Sequence, residues 1–242
     1  MKIIVFSDAH GNFDALVKLS ETEDFKTADK RVFLGDAVVM GPFSNECCEF
    51  LLKNDCVWIL GNHDSYVAHG LPEEEFQYFK PDKIAHQAYV ANLVLEKYKT
   101  IIKTLPKEYE ISLGNKKLYF THYVWETWDN VVDNPEEPNL EDISKIFKDI
   151  DADFIVYAHE HHFSHFKDKN KEYVCVGSIG MVYPGHYTLI EIDDMFNIDF
   201  QHKTIDFDLR KFKQDILKEN YPRAEKYAGF FDENKWCWFL IW

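Results

Sequence analysis

Six short apolar runs are spread along the chain, and each ends at residue types that bind metal or phosphate. Ile3–Phe6 leads to Asp8 and His10, Val32–Leu34 to Gly35-Asp36, and Val57–Leu60 to Gly61-Asn62-His63-Asp64. Leu118–Phe120 leads to His122, Phe154–Tyr157 to His159 and His161, and Val174–Val176 to Gly177-Ser178. Short apolar runs without alternation read as strands buried on both faces. Asn12 offers a cap for a helix carrying Leu16, Val17 and Leu19, and Ser44 for one carrying Cys47, Phe50 and Leu51. This βαβαβ alternation implies parallel strands joined by helical crossovers. Loops at the carboxyl ends of such strands meet in one crevice. The reactive residues are therefore expected at a single point.

Residues 65–105 form an insertion between His63 and His122. After Pro81, the spacing of Ile84, Ala88, Ala91, Leu95, Tyr98 and Ile102 predicts one helix, ended by Pro106, with that apolar face buried. Glu108–Leu113 and Lys116–Phe120 flank Gly114-Asn115 as a hairpin. Asn139 begins an amphipathic helix with Ile143, Ile146, Phe147 and Ile150. Strands follow near 154–157, 173–176, 187–192 and 197–206, so a second sheet packed on the first is expected. The chain reads as a single domain, 1–242, with 207–242 as a C-terminal extension. The nearly all-apolar segment Trp236–Trp242 reads as a final strand or core plug.

The 242 residues carry a net charge of −15, which argues against the broad basic surface that long nucleic acid requires. A small phosphorylated partner stays open, because bound cations can reverse the local field. No run is long enough to span a membrane. Cys47, Cys48, Cys56, Cys175 and Cys237 show no CxxC spacing and fit a reduced, cytoplasmic setting, with Cys47 and Cys48 as buried helix thiols. A homo-oligomer stays open.

Asp8 and His10, like His159 and His161, stand at i and i+2, and in extended backbone such residues point the same way. Asp8, Asp36, Asn62, His10, His122, His159 and His161 offer two carboxylates, one amide oxygen and four imidazoles, enough to hold two bridged divalent cations. The mixed nitrogen and oxygen set suits Mn²⁺, Fe, Zn²⁺ or Ni²⁺ better than Mg²⁺ or Ca²⁺. Two cations less two carboxylates leave net positive charge, which a phosphoryl group would match. His162 and His165 read as solvated loop residues. Asn12, Trp125 and Trp128 are candidates for touching substrate, the tryptophans by stacking a base.

Ser7-Asp8-Ala9-His10-Gly11-Asn12, Gly35-Asp36 with Gly41-Pro42, Gly61-Asn62-His63-Asp64, His122 and Ala158-His159-Glu160-His161 fall in an order that resembles the calcineurin-like metallophosphoesterases, in particular their small bacterial and archaeal phosphodiesterase-like branch. Gly177-Ser178-Ile179-Gly180 is similar to that branch's closing loop. The resemblance implies an α/β fold, a four-layer αββα sandwich with two mixed β-sheets flanked by helices. It implies a phosphohydrolase acting on phosphodiester or phosphoanhydride bonds of small, nucleotide-like molecules; a phosphomonoesterase, a dinucleoside-polyphosphate hydrolase and a non-catalytic scaffold are the alternatives. It assigns Asp8, His10 and His161 to a first metal, Asn62, His122 and His159 to a second, and Asp36 as the bridge, with Mn²⁺ foremost. A metal-bridging hydroxide would attack phosphorus, with His63 as the catalytic acid or charge stabiliser and Asp64 orienting it. Val39 stands where Ser/Thr protein phosphatases carry Asp, and no Arg follows, which argues against that branch.

Overall fold

The computed structural model describes residues 1–71, 79–127, 131–132, 135, 137–218 and 222–231. Trp128, Cys237 and the Trp236–Trp242 segment lie outside the described residues. The elements run β1 (Lys2–Phe6), α1 (Phe13–Glu21), α2 (Glu23–Thr27), β2 (Lys30–Phe33), α3 (Ser44–Lys53), β3 (Val57–Trp58), α4 (Asn62–His69), α5 (Pro81–Leu93), α6 (Glu96–Ile102), β4 (Glu108–Leu113) and β5 (Lys116–Thr121). They continue as α7 (Leu140–Ile146), β6 (Phe154–Tyr157), β7 (Phe163–Lys167), β8 (Glu172–Val176), β9 (Gly185–Ile192), β10 (Ile198–Ile205), α8 (Leu209–Lys218) and α9 (Ala224–Gly229).

Two five-stranded sheets are built from them, in the orders β10-β9-β1-β2-β3 and β4-β5-β6-β8-β7. In the first, β1, β2 and β3 are parallel while β9 and β10 are antiparallel. In the second, β5, β6 and β8 are parallel, with β4 and β7 antiparallel at the edges. Both sheets are therefore mixed. The period-2 geometry of a strand splits β1 between two cores. Ile3 and Val5 pack between the sheets with Val32, Leu118, Phe120, Val156 and Ile190. Ile4 and Phe6 face the helices with Leu16, Leu19, Cys47 and Leu51. On the far side, Ile143 and Phe147 cover the second sheet at Ile155 and Tyr157. The result is the expected four-layer αββα sandwich, with its parallel strands all ending toward one edge.

Several local expectations are corrected. Asn12 does cap α1, accepting from Ala15 N–H at 3.2 Å. Ser44 instead is the first residue of α3, and its Oγ accepts from Val39 N–H. The single helix expected after Pro81 is two, because Val94 and Leu95 are extended. Its buried face is also different: Lys83, His86, Gln87 and Val90 turn inward, whereas Ala88 and Leu95 are exposed. The reason is that α5 covers a polar site rather than an apolar sheet face. His165 lies on β7, an edge strand that lacks a strong apolar pattern. Cys47 and Cys48 are buried on α3.

The C-terminal helices pack onto the same core through Phe212, Ile216, Tyr227 and Phe230. Arg223 reaches Asp82 of α5 at 3.0 Å. No helix among the described residues is long and apolar enough to cross a membrane.

Candidate metal centre

The strand-end loops are stitched to one another before any side chain is considered. Asp8, His10 and Gly11 donate their N–H groups to Gly35, Asp36 and Ala37 carbonyls at 2.9–3.0 Å. Ala158 N–H donates to His122 O, joining the β5 and β6 ends. The last apolar run supplies no ligand, but its loop clamps the first: Ile179 N–H donates to Ser7 O, and Gly180 N–H and Ser178 Oγ donate to Asp8 O. At Gly180 a Cβ would lie 2.1 Å from Ala9 O, so this clamp requires glycine.

The ligand pairs are not extended, contrary to expectation. Asp8, His10, Asp36, His159 and His161 have φ of 54°, 46°, 59°, 72° and 61°. This left-handed region costs most L-residues energy and is most accessible to Gly, Asn, Asp and His. Alternation of left-handed and ordinary residues, rather than strand pleat, aims both members of each pair at the same point.

Two groups of donor atoms result, Asp8–His10–His161 and Asp36–His122–His159, each within 4.8 Å and buried. In the first, His161 Nε2 lies 3.1 Å from Asp8 Oδ1 and 3.2 Å from His10 Nε2. In the second, His122 Nε2 lies 3.3 Å from His159 Nδ1 and 3.1 Å from Asn62 Oδ1. Asp36 stands between them: its Oδ2 is 3.7 Å from His10 Nε2 and 3.5 Å from His122 Nε2.

The chemistry of this donor set calls for cations. His10 Nδ1 faces Val38 O and His122 Nδ1 faces Leu34 O, and a carbonyl only accepts. The proton of each ring therefore sits on Nδ1, and the Nε2 lone pairs converge on other lone pairs. Burial lowers the imidazoles of His10 and His159, and takes His122 down to about 4, which keeps them neutral. Burial, then the charges of Asp8 and Asp64, push the Asp36 carboxyl well up. Buried acceptors without donors are costly, and divalent cations would relieve that cost. The residues present fit two such ions.

The ring of His63 stands edge-on to His10, centroids 5.2 Å apart. The expected contact from Asp64 to this ring is not among its hydrogen bonds within the described residues. The Asp64 carboxylate accepts from the N–H groups of Asp36 and Ala37 at 2.9 Å, of Gly61 at 3.3 Å, and from Trp58 Nε1 at 3.4 Å. It thus holds the Asp36 loop against the start of α4. The polar partner of His63 is Gln87 of α5, whose Nε2 lies 2.7 Å from His63 Nδ1. No motif marks Gln87; the one available signal was a polar residue inside the helix that the insertion encodes.

Two substrate candidates, Asn12 and Trp125, have partners of their own within the fold. Asn12 is fully buried, with its oxygen on Ala15 N–H and its amide nitrogen donating to Gly180 O at 3.0 Å. Trp125 packs against both helical cores, and the Lys107 ammonium sits 4.1 Å from its ring centre. Glu160 turns away from the ligands on either side of it, toward the hydroxyls of Tyr123 and Tyr157, and burial raises it to about 8.

The chain is similar to several known proteins. An uncharacterised protein of Methanocaldococcus jannaschii is 25% identical over 245 residues, covering 91% of this chain and 93% of the relative. A metallophosphoesterase structure from Sphaerobacter thermophilus superposes with a TM-score of 0.72 at 17% identity, covering 95% of this chain and 99% of that one. The structure of a hypothetical protein from Pyrococcus horikoshii gives 0.78 at 18% identity, covering 95% and 97%. At these identities the two structures establish the shared fold. Residues 1–195 match the calcineurin-like phosphoesterase superfamily domain, and the chain belongs to that superfamily as a metal-dependent phosphoesterase.

Proposed function

We propose that the protein hydrolyses a phosphodiester or phosphoanhydride bond of a small, nucleotide-like molecule at a centre of two divalent cations, Mn²⁺ foremost. The observation that carries this reading is the position of Asp36, whose Oδ2 lies within 3.7 Å of one imidazole from each ligand group. Asp8, His10 and His161 would hold one ion, Asn62, His122 and His159 the other, and Asp36 both. When bound, the ions supply Lewis acidity to phosphoryl oxygens and a water of lowered pKa. The new bond joins water oxygen to phosphorus, and the bond from phosphorus to the leaving oxygen breaks. His63 supplies the proton, or the hydrogen bond, that the departing oxygen needs. Asp64 keeps the loops of Asp36 and His63 in register. The net charge of −15 supports a small substrate over a polymer that would need a basic track.

A panel of mono-, di- and polyphosphate nucleotides and an aryl phosphodiester, run with Mn²⁺, Zn²⁺, Ni²⁺ and Mg²⁺, tests the reading. The expected result is metal-dependent turnover, with diesters or anhydrides ahead of monoesters. His63→Ala should retain its metal and lose at least about 100-fold in kcat. Full turnover in that variant would refute the role of His63, and no metal-dependent hydrolysis of any member would refute the activity.

A further inference from the structure

The helix that closes over the site presents a polar face to it. Lys83, His86, Gln87 and Val90 of α5 are the buried ones, and adjacent residues are bonded to two different loops of the centre. His86 Nε2 accepts from Met40 N–H at 3.1 Å, in the loop that follows Asp36. Gln87 Nε2 meets His63 Nδ1 at 2.7 Å. The same helix is also braced by the C-terminal helices, with the Tyr227 ring 4.5 Å from that of His86 and Arg223 on Asp82. The α5 helix is thus fixed against the loop after Asp36, and the Gln87 amide reaches the His63 imidazole.

The direction of that hydrogen bond decides which ring nitrogen carries the proton. With the amide N–H donating, Nδ1 accepts and the proton lies on Nε2. The other orientation of the amide would leave both of its N–H donors buried and unpartnered. This one leaves a single acceptor, Oε1, without a protein partner among the described residues. An under-satisfied carbonyl is tolerated better than an orphaned N–H group.

We propose that Gln87 is a positioning residue: by donating to Nδ1 it holds His63 as the neutral tautomer whose Nε2–H donates a hydrogen bond to the leaving oxygen, so the insertion helix, not the Asp next to His63, sets which ring nitrogen faces the substrate as a donor. This rests on the role given to His63 above. Gln87→Leu would remove the donor, and Gln87→Glu would reverse the bond, because a carboxylate accepts from Nδ1–H; in the neutral ring Nε2 is then without a proton, so native and variant proteins are compared at alkaline pH, where the carboxylate does not hold the ring as imidazolium.

The test uses the full chain loaded with Zn²⁺ and labelled with ¹⁵N-histidine, with His63 assigned by its loss in His63→Gln. Long-range ¹H–¹⁵N correlation should show His63 as the Nε2–H form in the native protein and as the Nδ1–H form in Gln87→Glu. On an aryl phosphodiester with Mn²⁺, both Gln87 variants should lose at least about tenfold in kcat with KM within about twofold. Gln87→Glu keeps the size of the side chain, so it carries the test if Gln87→Leu fails to fold. A native Nδ1–H form, or native tautomer and native kcat in Gln87→Glu, would overturn the proposal. If His63→Gln loses turnover while Gln87→Glu does not, Gln87 is excluded and His63 stands; full turnover in His63→Gln would instead remove the reading beneath both.

Discussion

The Asp36 carboxylate accepts the backbone N–H of His63 at 2.8 Å through Oδ1, while its other oxygen faces both ligand groups. One residue therefore links the proposed metal bridge to the position of His63. Asp36→Asn can still accept from His63 N–H but bridges cations poorly. Turnover should fall at least about 100-fold, and elemental analysis should find fewer metal ions per chain. Stability should move the other way when metal is chelated. Asp8, Asp36 and Asp64 crowd one buried region, and removing a charge relieves their repulsion. The chelated variant should melt above the chelated native protein, and the order should reverse on adding Mn²⁺.

Asp64 bears on stability more than on chemistry. Truncation to Ala strands the N–H groups of Asp36, Ala37 and Gly61 inside the protein. The expected loss is about 3–5 kcal/mol, read as a lower urea midpoint at unchanged m. Asp64→Asn keeps an acceptor oxygen and should lose less. A midpoint unchanged in Asp64→Ala would contradict the capping role.

Burial takes His86, His186 and His202 each down to about 4, and Phe163 stacks between the last two at 3.8 and 4.3 Å. A histidine lowered in the fold but ordinary when unfolded binds more protons in the unfolded state between those two pKa values. Stability therefore rises with pH through that window, is complete above about 6.5, and is lost as pH falls toward 4. For His86, fully buried, the loss from pH 6.5 to 5 is about 2 kcal/mol. In chelator, Tm should drop by at least about 5 °C over that range. His202→Gln should flatten the slope, and an equal slope in native and variant protein would count against this origin.

Gly180→Ala places a methyl against Ala9 O, a backbone atom that can move only with Asp8. The cost should be about 1–3 kcal/mol. Zn²⁺ affinity measured by calorimetry should weaken about tenfold or more, as for other groups that support a ligand from behind. Native affinity in this variant would show that the Gly177–Gly180 loop does not hold Asp8 in place.

The parallel strands, the hairpin and the convergence of Asp8, Asp36, Asn62 and the histidines were all legible, because strand periodicity and strand-end position are local properties that topology then gathers. The partners of those residues were not. Gln87 reaches His63 from a helix 24 positions away, and which face of α5 turns inward depended on its covering a polar crevice rather than an apolar sheet. The family resemblance and its place beside His63 assigned Asp64 as the orienter. In a helix, neighbouring side chains point about 100° apart, and Asp64 instead satisfied the backbone donors behind it. The edge strand β7, with Ser164, His165 and Lys167, carries no buried stripe for a pattern to reveal.

The left-handed backbone at Asp8, His10, Asp36, His159 and His161 restricts the ligand alphabet twice over. A residue there must satisfy both the ion and a conformation that costs most side chains about 1–2 kcal/mol. Replacing His10 by Cys or Asp36 by Glu to attract a different metal would meet the backbone penalty before any ion arrived. Asn, Asp and His escape much of it. Metal preference in this scaffold is therefore easier to alter at Asn62 or His122, whose φ is ordinary, than at the residues that look most exchangeable by coordination chemistry alone.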